Sequence, residues 1–278
     1  MSLTKRAWIP LLFTLANGIC GFAAVTYAAR IPRGLDQYDA AVITWLWAAG
    51  WCIIAAMLFD CLDGRLARLT RSASDFGGEL DSLCDAISFG VAPGFLLLKL
   101  SEPDAFPIEV LWAIAVFYVL CVALRLARFN AQNSPDEAKH QRFAGLPSPA
   151  AAGVIAGVAL VRHQLRTPSS FLGQLIAFFE LNAEQVERLV AVTMPLVAIC
   201  LGLLMISRLP YPHATSVLLS GRVPWRRRLA LAALLGIAAA VLREFVVPVV
   251  FTVYSFGIPI LSAGLFIRNR ILAREPVY

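Results

Sequence analysis

Apolar stretches of about twenty residues recur along the whole chain, at about 10–29, 40–60, 82–100, 108–128, 147–163, 189–206, 229–243 and 246–267. A run of about 20 apolar residues wound as a helix crosses the ~30 Å of hydrocarbon in a bilayer. In that solvent every backbone amide and carbonyl must be paired within the segment, which leaves the helix as the structure for such a run. The pattern predicts an all-α, polytopic transmembrane helical bundle of about eight spans. Composition points the same way: of 278 residues, 59% are hydrophobic and 15% charged, whereas a soluble domain carries about a quarter charged residues. One integral membrane domain is expected over residues 1–278, with a core at about 10–206 and two C-terminal spans within about 229–267. The first stretch follows Lys5 and Arg6 as a secretory leader would. Its length and the further membrane stretches after it favour a retained first span.

Charge placement gives orientation. The chain holds 24 basic and 18 acidic residues, a net charge of +6. When the loops are assigned alternately, seventeen of the basic residues fall on one side, among them Lys5, Arg6, Arg65, Arg68, Arg125, Arg128 and Arg226–Arg228, and seven on the other. The positive-inside rule then puts both termini and the segment from about 61 to 80 in the cytoplasm, as expected for a protein of the cytoplasmic membrane. Because the basic residues flank membrane ends, no nucleic-acid partner is expected. The run Arg226, Arg227, Arg228 suits anionic lipid head groups, though it serves equally to fix topology. The six cysteines stand singly, with no metal or disulfide spacing. His140, His163 and His213 stand in expected loops and read as surface residues.

One constellation stands apart. From residue 60 the chain reads Asp60, two residues, Asp63, Gly64, two residues, Ala67, Arg68, then eight residues, Gly77, three residues, Asp81, three residues, Asp85. Asp60 and Asp63 are three apart where the second span ends, and Asp81 and Asp85 are four apart where the third begins, so each pair shares a helix face. Packed side by side, the two spans would bring four carboxylates together. Unpaired charge at membrane depth costs several kcal/mol even on lenient insertion scales, and Arg65 and Arg68 leave an excess of negative charge. One or two divalent cations would offset it. Hard oxygen ligands suit Mg²⁺ or Mn²⁺, with Ca²⁺ a possible competitor, and two such ions could clamp a diphosphate. Gly64 allows close backbone approach, and Gly77 with Gly78 keeps the intervening loop compact. A carboxylate-lined ion pathway is the alternative use of such a cluster.

The pattern DxxDGxxAR, eight residues, then GxxxDxxxD is identified as the signature of the CDP-alcohol phosphotransferase family, and every position is present. The resemblance implies a helical membrane core with a cytoplasm-facing pocket that binds a CDP-linked donor through divalent metal. It implies that Asp60, Asp63, Asp81 and Asp85 ligate metal, that Gly64, Ala67, Arg68 and Gly77 hold the CDP moiety, and that Asp85, beside Asp81, is the candidate general base. In the first span, residues 10–17 resemble the family's opening, usually Pro-Asn, with Leu11 in place of that Asn. Thr14 and Asn17, three apart, are candidates for polar contacts with the donor, CDP-diacylglycerol, at the pocket edge.

Residues 124–130 and 145–151 resemble the branch of the family whose acceptor is L-serine. Arg125 and Arg128 lie three apart and so can face one pocket, where an arginine fork suits a carboxylate or a phosphate; snorkelling to lipid phosphates would use the same residues. Pro147 and Pro149 suit a helix start, with Ser148 either its cap or a contact to serine. Choline, glycerol phosphate and inositol phosphate are the rival acceptors. Relatives of this kind are often homodimers, and the resemblance implies the same here.

Overall fold

The computed structural model describes residues 8–31, 39–69, 74–101, 105–132, 145–209, 211 and 245–272. The expected span at 229–243 and the basic run Arg226–Arg228 lie outside the described residues, as do His140 and His213. Nine α-helices are described: α1 (Trp8–Ala29), α2 (Ala40–Leu69), α3 (Asp75–Asp85), α4 (Ala92–Leu100), α5 (Ile108–Gln132), α6 (Ser148–Leu165), α7 (Phe171–Phe178), α8 (Ala183–Ile206) and α9 (Val246–Leu272). Residues Ala86–Val91 join α3 to α4 as a π turn. No strand occurs among the described residues.

Five of these segments are long and apolar enough to cross a membrane: α1, α2, the unit α3–π turn–α4, α5 and α8. The expected span at 147–163 is α6, at 18 residues one of the shorter ones. It is the buried centre of the bundle, and small residues make that possible. Without a hydrophobic drive between helices in lipid, association depends on close packing, which small side chains permit. A Cβ at Gly157 would come within 2.7 Å of the Pro248 backbone of α9, and one at Gly153 would strike the Phe251 ring. On the other flank, Gly50 of α2 faces the Ala156 carbonyl, 3.0 Å from an added Cβ. Ala24 and Ala28 of α1 and Ala49 and Ala56 of α2 are likewise small and fully buried. Outward, Leu12, Leu15, Ile19 and Phe22 of α1 and Leu189, Leu196 and Leu203 of α8 are exposed, which suits a face turned to hydrocarbon.

Several expectations shift. The second span runs past its expected end and the third starts before its expected beginning, so Asp60 and Asp63 lie inside α2, and Asp81 joins Asp85 in α3. Gly77 and Gly78 are helical rather than in a loop, and Gly64 is a residue of α2. Strong helix formers after Gly64 carry α2 onward. Ser74 starts α3 as its N-cap, its Oγ accepting from the Gly77 amide at 3.1 Å. The stretch between the expected spans at 147–163 and 189–206 contains α7 and the start of α8. His163 is a residue of α6, its ring 5.3 Å from that of Trp47, and not a loop residue.

At the end of the bundle away from the aspartates, α6 and α8 are tied by charge. Arg166 donates to Glu187 Oε2 through Nε at 3.0 Å and Nη2 at 2.8 Å, and Arg162 Nε lies 4.0 Å from Oε1. Arg162 and Glu187 are fully buried. At the aspartate end, Gly145 holds a φ of 97°, which favours glycine. Its amide donates to the Leu209 carbonyl at 2.9 Å, and Leu146 donates to Leu204 at 3.0 Å. These bonds pin the start of α6 to the end of α8.

Candidate active site

Carboxylates of α2 and α3 meet, three of the expected four. Asp60, Asp63 and Asp81 each offer a carboxylate oxygen within 4.8 Å of the others. Asp85, one turn further along α3, is outside this triad, although the sequence puts it in the same ligand set. Its Oδ1 accepts from Asn17 Nδ2 at 2.9 Å. Asp63 Oδ2 accepts from Thr14 Oγ1 at 2.9 Å. Thr14 and Asn17 are 4% and 0% exposed, so they are buried supports of the carboxylates, and Asn17 does not form the expected pocket edge. Both roles follow from the three-residue spacing in α1, which stacks them on the face turned to α2 and α3.

Two cavities open at this cluster. The smaller, about 180 Å³, is lined by Thr14, Asp63, Gly64, Ala67, Gly77 and Asp81, with Pro10, Leu11, Ser74 and Gly78. A Cβ at Gly64 or Gly78 would meet nothing within 4 Å, so a larger side chain at either would project into the space that the glycines keep open. The sequence points to most of this set. Ser74, which it did not single out, carries the ordinary N-cap signal of a serine just before a helix. The side chain of Arg68 lies outside the described residues.

The larger cavity, about 500 Å³, is lined by Asp60, Asp81 and Asp85 on one side and Arg125, Phe129 and Ser148 on the other, with Tyr211 and the α9 residues Val250, Phe251 and Tyr254 closing it. Arg125 Nη1 donates to Ser148 Oγ at 2.9 Å. Ser148 is therefore a fully buried wall residue and not a helix cap. The cap position is Pro147, which makes no side-chain cap bond. Arg128 departs from expectation: its Nη1 donates to the Ile206 carbonyl at 3.3 Å, and it does not line either cavity. Three residues on a helix are about 60° apart, enough for Arg125 to turn inward and Arg128 toward the end of α8. Ser82, which lines this cavity, and Asn130, linked at 2.9 Å from Asn130 Nδ2 to Ser82 Oγ, tie α3 to α5. The contribution of α9 has a sequence signal in the Gly153, Gly157 pair of α6, a small-residue pair that invites a close helix partner.

Chemically, the triad suits a hard cation. Asp81 Oδ1 is buried with no hydrogen-bond partner among the described residues, a cost that a bound cation would remove. The donor set is oxygen only. The nearby thiols take no part in it: Cys61 is exposed and Cys84 packs against Gly18.

The family model for CDP-alcohol phosphatidyltransferase matches residues 7–200. This chain belongs to the CDP-alcohol phosphatidyltransferase family. The match runs from α1 into α8 and so contains all four aspartates, Arg125 and Ser148, whereas the α9 wall of the larger cavity lies beyond it. Proteins named CDP-diacylglycerol–serine O-phosphatidyltransferase are similar to it. The one from Methanocaldococcus jannaschii is 38% identical over 160 residues, covering 58% of this chain and 61% of that protein. The one from Helicobacter pylori (strain 26695) is 31% identical over 208 residues, covering 75% and 73%. The one from Saccharomyces cerevisiae is 38% identical over 152 residues, covering 52% and 51%. The chain thus spans 61% of the length of the Methanocaldococcus relative and 41% of that of a Mycobacterium tuberculosis relative with the same name.

Proposed function

We propose that this protein transfers the phosphatidyl group of CDP-diacylglycerol to L-serine, releasing CMP and forming phosphatidylserine at the cytoplasmic face of the cytoplasmic membrane. One observation carries the reading: a glycine-lined cavity and a cavity walled by Arg125 and Ser148 meet at Asp81, which lines both. A nucleotide-linked donor and a small acceptor need such adjoining compartments. The relatives' shared name supports serine as that acceptor.

Asp60, Asp63 and Asp81 would hold divalent metal, one or two Mg²⁺ or Mn²⁺ ions with Ca²⁺ as competitor, whose charge offsets that of the diphosphate and of departing CMP. Gly64, Ala67 and Gly77 leave room for the CDP moiety beside them. Arg125 orients the serine carboxylate, since its guanidinium has donors beyond the one given to Ser148. Asn17 fixes Asp85 through one carboxylate oxygen, and the other takes the proton of the serine hydroxyl. As that proton leaves, the serine oxygen bonds to the phosphorus bearing diacylglycerol. The bond from this phosphorus to the CMP oxygen breaks, and its electron pair departs with CMP. The bias of basic residues toward the aspartate end of the helices supports the cytoplasmic orientation.

The test is CMP release by the purified protein in micelles containing CDP-diacylglycerol. Serine is expected to support turnover, chelator to stop it, and added Mg²⁺ or Mn²⁺ to restore it. Equal turnover with glycerol phosphate, inositol phosphate or choline would reject serine as the acceptor. Ion flux without CMP would reject the chemistry.

A further inference from the structure

The helix that carries Asp81 and Asp85 changes its winding directly after Asp85. Over Ala86–Val91 the backbone widens into a π turn, and the Ala92 amide pairs with the Ile87 carbonyl five residues back. An α-helix advances about 100° per residue, so one extra residue in a turn rotates everything before it by about that angle relative to everything after it. Here the rotation lets Asp81 and Asp85 face the acidic cluster while Ala92, Leu96, Leu97 and Leu100 keep facing the core. Single π turns inside α-helices are often found at functional sites.

The sequence explains why the turn forms here, and the packing explains what holds it. Pro93 has no amide hydrogen and cannot pair with the Phe89 carbonyl four residues back. The hydroxyl of Tyr118, on α5, donates to that carbonyl at 3.1 Å. Tyr118 is fully buried. Its helix fits closely because Gly90 and Gly94 leave room for Val122 and Val119; a Cβ at Gly94 would come within 2.8 Å of Val119. From the opposite side, Ser88 Oγ donates to the Asn17 carbonyl at 2.9 Å, and the Asn17 side chain holds Asp85.

We propose that Tyr118 is a positioning residue for Asp85: by supplying the donor that Pro93 lacks, its hydroxyl locks the π turn and so fixes the direction in which α3 presents its aspartates. The consequence for turnover rests on the serine-transfer reading above; the consequence for the direction of α3 does not.

Native cysteines report that direction without any assay of chemistry. Cys84, on α3, is 7% exposed against Gly18 of α1, and Cys121, on α5, is 2% exposed. In Tyr118→Phe, labelling of Cys84 by a maleimide, read by peptide mass spectrometry on the micellar protein, is expected to quicken about tenfold while Cys121 stays protected. Adding Pro93→Ala returns a backbone donor to Phe89 and is expected to restore Cys84 protection. In the CMP-release assay, Tyr118→Phe is expected to lower kcat about tenfold at unchanged KM for serine, because Arg125 and Ser148 are untouched. Unchanged Cys84 labelling overturns the proposal. Equal exposure of Cys121 also overturns it, since the hydroxyl would then support the bundle as a whole. So does a double variant that labels as fast as Tyr118→Phe. If the parent releases no CMP with serine yet the labelling behaves as described, the acceptor reading fails and the role of Tyr118 stands.

Discussion

The two ends of the bundle bury charge in opposite ways. At one, Asp60, Asp63 and Asp81 gather within 4.8 Å, with no ion pair to any of them among the described residues. At the other, a fully buried Glu187 takes two hydrogen bonds from Arg166 and lies 4.0 Å from Arg162. Like charges held together raise the free energy of the fold, and a paired buried charge lowers it relative to either partner left alone. The first arrangement is therefore useful for what it can bind, and the second for holding helices together.

That contrast breaks first at Asp81. Asp81→Asn removes one of three crowded charges and is expected to cut CMP release on the order of 10³-fold, the scale on which preorganised electrostatic groups act. In chelator the same variant is expected to melt at or above the parent temperature, because repulsion within the cluster is relieved. A near-parent rate, or a clear drop in melting temperature, would remove the distinction between the two ends.

Glu187→Gln tests the other end. Leaving Arg162 and Arg166 without their buried counter-charge is expected to cost about 3–5 kcal/mol of stability, read as a lower melting temperature in micelles. KM for serine in the surviving folded protein should not change, since the cluster sits at the far end of α6. A variant that melts with the parent would show the pairing to be incidental.

Much of the acidic end was legible because its chemistry is written in local spacing. The intervals between Asp60, Asp63, Asp81 and Asp85 set helix faces without knowledge of the rest of the fold, and Gly64, Ala67 and Gly77, singled out by the motif, line the smaller cavity. What escaped depended on neighbours distant in sequence. Arg125 and Arg128 look equivalent until the end of α8 takes one of them. Ser148 looks like a cap until Arg125 reaches it. Glu187 and Arg166 fall between the expected spans at 147–163 and 189–206; Asn182 is a local cap signal for an earlier start of α8, but nothing local says that the first turns of α8 pack against α6. The π turn leaves only Pro93 as a trace. The wall from α9 could be inferred from Gly153 and Gly157 only as a close partner, not as that particular helix.

At the acidic end itself stands Arg125, the basic residue of the larger cavity, across it from the aspartates. Arg125→Lys keeps the charge and loses the planar fork. A hydrogen bond to a charged group is worth about 1.5–3 kcal/mol, so KM for serine is expected to rise about 10- to 100-fold with a smaller change in kcat. If kcat falls and KM stays, Arg125 serves the acidic cluster and not the acceptor.

Ser148→Ala gives the smallest effect and separates two uses of the same bond. The serine hydroxyl accepts from Arg125 at 2.9 Å inside a fully buried site. Removing it leaves the guanidinium in place but releases one of its anchors, a change of about 1 kcal/mol for a typical hydrogen bond. KM for serine is then expected to rise about fivefold, and in an Arg125→Lys background the same substitution should add little, because the two residues act through one contact. Full additivity of the two effects would mean that Ser148 meets the acceptor directly. The wall opposite the aspartates would then present two independent contacts where the geometry supports a single oriented guanidinium.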